Sequence, residues 1–126
     1  LADGAAADVA ELLALPDRAA QHKFIRAHVD QLDDAFVIAL KSEADRARNV
    51  DIGRSIQLAE LIQWTAGQTG SGHHRALGLL AEANARSIGL GEYEVALAVY
   101  EQAAAIYHAE GRDVEEANAR VGAIWA

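Results

Sequence analysis

The chain has 126 residues with 19 acidic against 11 basic side chains, a formal net charge of −8, and neither cysteine nor methionine. That length supports one domain with its own core, while the acidic balance and scattered arginines argue against a nucleic-acid binder and an anionic membrane surface. Disulfides and thiolate chemistry are excluded, and no apolar run is long enough to span a bilayer. No signal-peptide pattern opens the chain, so a cytoplasmic location is expected. A chain that starts at Leu1 without methionine reads as a mature or excised fragment.

Alanine is abundant, β-branched residues are sparse and Pro16 is the single proline, a mixture that suits helices and suits strands poorly. A first helix is predicted over Asp3 to Leu15, with Asp3 or Asp8 near its start. Pro16 stops it, because the residue before proline is pushed out of the helical region. A second helix, about Asp17 to His28, carries Ala20, Phe24 and Ala27 on one side. Asp30 offers a cap for a third, about Gln31 to Asn49, with Leu32, Phe36, Ile38 or Ala39, and Leu40 facing inward. Asn49-Val50-Asp51 reads as a turn and a new cap. The fourth helix, roughly Ile52 to Ala66, has Ile52, Ile56, Ala59, Ile62 and Ala66 in register and Trp64 on a flank.

After the loop Gly67 to Gly72 a fifth helix is predicted from His73 to Ile88, ending at Gly89-Leu90-Gly91. The sixth is the clearest. Glycine brackets it at Gly91 and Gly111, and Ala96, Val99 or Tyr100, Ala103, and Ile106 or Tyr107 form one stripe at helical spacing. The seventh starts at Asp113, with Glu115 and Glu116 in its first turn. Short loops make successive helices antiparallel neighbours.

Laying Gly70 on Gly111 superposes Ser55-Ile56 on Ala96-Leu97, Ala59 on Tyr100 and Ile62 on Ala103. Each block is a helix, a glycine loop and a second helix, with a period of about forty residues, as in helical-hairpin solenoids. Gly91-Glu-Tyr93 followed by Ala96-Leu97, Tyr100 and Ala103 resembles the tetratricopeptide repeat. Val121-Gly122 and Trp125 are similar to the small and aromatic positions of a following first helix. Tyr107 to Gly111 ahead of Glu115-Glu116 resembles the longer repeat found before CHAT domains in bacterial proteins, and Leu15 to Gln21 with Phe24 and His28 resembles its leader.

The resemblance implies an all-α antiparallel helix-hairpin stack of about seven helices, a right-handed superhelix with a leader over residues 1–50 and repeat-type pairs over 51–126, the last one truncated. It implies a non-catalytic scaffold that binds protein or peptide along the first helices of each pair. Ala81, Asn84, Ala85, Ile88 and Asn118 are the candidate groove residues. Some family members grip C-terminal carboxylates with lysine and asparagine; the matching positions here are Ala81, Ala85, Ala119 and Ala123, so that clamp is not expected. Asn84 has two readings: a bond to a neighbouring helix, or a grip on a ligand backbone.

Other chemistry finds little support. Gly67 to His74 lacks the lysine and the preceding strand of a phosphate loop. No two histidines stand at i, i+4 and no Glu-x-x-His occurs, so no metal and no cofactor are expected. Paired acids such as Asp33-Asp34 sit where helix dipoles explain them, and no serine has a nucleophile-elbow context. The alternative to a groove is a self-assembly or regulatory spacer arm of a larger, CHAT-protease-like protein. In that reading Val121, Ile124 and Trp125 expose an apolar face that pairs two copies into a homodimer.

Overall fold

The computed structural model describes residues 4–124, all of whose regular structure is helical. Seven α-helices follow one another: α1 Ala5–Leu13, α2 Arg18–Ala27, α3 Asp34–Ala47, α4 Ile52–Thr69, α5 Gly72–Asn84, α6 Tyr93–Ala109 and α7 Asp113–Ile124. Asp3 and Trp125, both named in the sequence reading, lie outside the described residues.

Side-chain caps define most of the starts. Asp17, Asp33, Asp51 and Ser71 accept from the amides of Ala20, Phe36, Arg54 and His74 at 2.8–3.2 Å. Each satisfies an amide that the helix leaves without a partner. The expected cap for α3, Asp30, is displaced by Asp33. Residues Val29–Gln31 form a 3-10 turn, and starting α3 after Asp33 buries Leu32 in the same core as Val37, four helical positions on. That hydrophobic staple selects the later start. Gly70 and Gly111 both take left-handed backbone, φ 72 and 69°, where a side chain would be strained.

The inward faces also shift where tertiary packing overrides simple spacing. In α2 Ile25 is fully buried, Phe24 is half-buried and Ala27 is exposed, because α2 meets α4 through Ile25 and through His22, which stacks flat on Trp64 at 3.6 Å. In α3 Val37 is buried and Ile38 is 48% exposed. Here α1, α4 and α5 cover the Phe36–Val37–Leu40–Ala44 face and leave Ile38 on an open one.

Consecutive helices from α3 onward pack antiparallel, and α3 also lies beside α5. The forty-one-residue offset holds in three dimensions. Ser55 and Ala96, Leu58 and Val99, Ala59 and Tyr100, Ile62 and Ala103, and Ala66 and Tyr107 are all buried pairs. Two cores result, one from Val9 to Ala81 built of leucine, isoleucine and phenylalanine, the other of alanine and tyrosine between α5, α6 and α7. Helix α5 serves both: Leu77 and Ala81 enter the first, Ala76, Leu79 and Ala83 the second. Gly78 permits this, since a β-carbon there would stand 2.7 Å from Gln63 Cγ and 3.0 Å from its backbone nitrogen on α4. Beyond Asn84 the chain widens into a π-turn, Ala85–Gly89, with the Leu90 amide donating to the Ala85 carbonyl at 3.1 Å. This extra residue per turn is absent from the helix expected to run to Ile88.

Candidate functional site

A cleft of about 320 Å³ crosses α3, α5 and α7. Helical spacing supplies its wall residues three and four apart: Ile38, Lys41 and Ser42 from α3; His73, Leu77 and Leu80 from α5; Glu115 and Asn118 from α7. Tyr107 reaches it from α6, behind the others. The floor is apolar through Ile38, Leu77 and Leu80, while charged and amide groups stand around it.

The polar groups fall into occupied and open ones. Ser42 Oγ donates to the Ile38 carbonyl at 3.1 Å, and Lys41 Nζ pairs with Asp45 at 2.6 Å. Tyr107 OH and His73 Nδ1 lie 3.0 Å apart, with the ring tautomer setting which one donates. Burial pushes the Tyr107 phenol up to about 12. Burial, helped by Arg112 and opposed by Asp34, holds the His73 imidazole below its ordinary 6.5. Both are therefore neutral near pH 7, and the cleft floor carries a polar but uncharged pair. Among the described residues the side chains of Asn118 and Glu115 have no hydrogen-bond partner, so they remain open to a ligand.

Of the sequence candidates, Asn118 lines this cleft and is exposed. Ala81 and Ala85, 1% and 0% exposed, are packed inside the stack, so they offer a ligand no surface. Asn84 is occupied on both sides: Tyr100 OH donates to its Oδ1 at 2.6 Å and its Nδ2 donates to Asp45 at 3.3 Å. It ties α3, α5 and α6 together. Ile88 is exposed on the π-turn, away from the cleft lining, because the widened turn carries it off the α5 face. Val121 and Ile124 are 51% and 76% exposed on α7.

Of the cleft residues, sequence reasoning found Asn118 and missed the other eight, Ser42 and Glu115 among them. The available signal was the spacing of Ile38 and Lys41 and of Leu77 and Leu80 on helices expected to lie side by side. A second grouping was also invisible in the sequence. His74, 4% exposed, accepts or donates at both ring nitrogens, 2.7 Å from Asp34 and 2.9 Å from the Thr69 hydroxyl. This carboxylate–imidazole–hydroxyl relay joins the start of α3, the end of α4 and the start of α5. The Thr69 oxygen also faces the Ala66 carbonyl and the Ser71 amide at 3.5 and 3.4 Å, so it caps the α4–α5 corner.

No family model matches the chain, and no curated protein or solved structure matches it.

Proposed function

We propose that this chain is a non-catalytic, tetratricopeptide-type scaffold module that binds a protein or peptide across α3, α5 and α7. A single observation carries the reading: an apolar floor from α3 and α5 flanked by the open polar side chains of Glu115 and Asn118 on α7, a combination suited to a short amphipathic segment. No described helix is long and apolar enough to cross a membrane. A cytoplasmic setting belongs to the same reading. Peptides selected from a random library and measured by calorimetry test it. Leu80→Asp, which places a charge on the floor, and Asn118→Ala are expected to weaken the selected peptides by at least about tenfold together. Peptides that bind the variants as tightly as the parent chain overturn the cleft.

A second reading is self-association through α7, favoured by the exposure of Val121 and Ile124. Sedimentation separates it from the first. A concentration-dependent dimer that becomes a monomer in Val121→Ser with Ile124→Ser supports it, and a monomer at every concentration removes it.

A further inference from the structure

Positive charge in this acidic chain is distributed unevenly. Lys41, Arg46, Arg86, Arg112 and Arg120 each pair with a carboxylate at 2.6–3.5 Å. Among the described residues six cations pair with none: Lys23, Arg26, Arg48, Arg75 and the two that share a cleft, Arg18 and Arg54. Both line one cleft of about 310 Å³, between the α1–α2 turn and the first turns of α4. Arg18 Nη2 donates to the Gln57 carbonyl at 3.3 Å, which fixes the guanidinium at the cleft wall. Asp17 is the one acid in the lining, and its carboxylate caps α2 through the Ala20 amide at 2.8 Å. The side-chain amides of Gln21 and Gln57 also face the cleft without a described hydrogen-bond partner. Leu13, Leu15, Pro16, Leu58 and Leu61 form its apolar remainder.

We propose that this cleft binds an oxyanion group, carboxylate or phosphate, borne on a small and partly apolar carrier. Two planar guanidinium groups with no internal counter-ion match the oxygens of either anion, and two amides can satisfy the oxygens left over. Every lining residue differs from those of the α3–α5–α7 cleft, so the inference stands apart from the function proposed above.

The test is an NMR titration of the arginine Nε–Hε signals of the whole chain, with succinate and with inorganic phosphate separately, at constant chloride. Saturable shifts at Arg18 and Arg54 are expected, with apparent affinity falling about tenfold in Arg54→Gln and in Arg18→Gln. Arg26→Gln removes the same charge from beside Trp64, 5.7 Å from the ring centre, and is expected to leave the affinity unchanged. Saturation by one probe only identifies the anion as that one's chemistry. The proposal fails if neither probe saturates, or if Arg26→Gln weakens binding as much as Arg54→Gln, since diffuse charge would then explain the shifts. Backbone spectra of each variant verify that the fold is retained, and both arginines are exposed enough for substitution.

Discussion

The two cores of this protein solve the same packing problem with different side chains. Leu12, Ile25, Phe36, Leu40, Leu61 and Ile62 fill the first with large apolar side chains. The second contains Ala76, Ala83, Ala96, Ala103, Ala104 and Ala119, with Tyr100 and Tyr107 as its large members. Alanine lets α5, α6 and α7 approach closely, and the tyrosines fill what remains. A tyrosine differs from a leucine in bringing a hydroxyl that needs a partner when buried. Tyr107 finds His73 at the cleft, and Tyr100 finds Asn84 on α5. The alanine–tyrosine core thus packs the stack and brings buried hydroxyls with it, whereas the aliphatic core contributes apolar surface alone, including Leu77 in the cleft floor.

Breaking each core in its own way sharpens this contrast. Leu40→Ala in the first should cost about 2–5 kcal/mol in urea unfolding, because a fully buried side chain leaves a cavity that packed neighbours refill only in part. The second core should instead answer to pH. An unfolded tyrosine titrates near 10 and buried Tyr107 at about 12, so the contribution is intact below pH 10 and lost as pH rises to 12. Across that window Tyr107 should account for a loss of about 2–3 kcal/mol, which Tyr107→Phe removes while Tyr100, also raised by burial, keeps its own share.

Enlargement should hurt where truncation cannot. Ala103→Leu, at a fully buried alanine, is expected to cost about 1–3 kcal/mol by overpacking. The smallest effect lies on the acid side. His73 is held below 6.5 when folded, so the unfolded chain takes up its proton first and stability falls as pH drops from 6.5 through the folded value. His22 acts in the same direction, through burial and then Arg18 and Arg26. Thermal melts of His73→Asn should show a shallower acid slope than the parent; an unchanged slope would assign the acid sensitivity elsewhere.

Much of this contrast was legible in the sequence. Asp51 as a cap, Gly111 as a helix end and the offset pairing Ala59 with Tyr100 are local or periodic features, and backbone chemistry enforces them without help from distant residues, whereas α4 runs through Gly67 to Thr69, three residues past the expected end at Ala66. The cap at Asp33 was not, because Asp30 offers the same carboxylate and only the burial of Leu32 distinguishes them. Ala81 and Ala85 looked like room for a ligand, since a small residue reads alike whether a ligand or a neighbouring helix fills the space above it.

By itself, then, the sequence determined that the chain is helical, where most helices begin and end, and that two of its blocks share one pattern. Propensity, capping and period act within a few residues, so a linear reading reaches them. Tertiary structure decided which face of α2 and α3 is covered, that Asn84 is occupied and Asn118 open, and that Asp34, His74 and Thr69 meet. Those outcomes depend on which helices lie side by side. A side chain's exposure is set by neighbours forty residues away, and its own position in the sequence does not contain them.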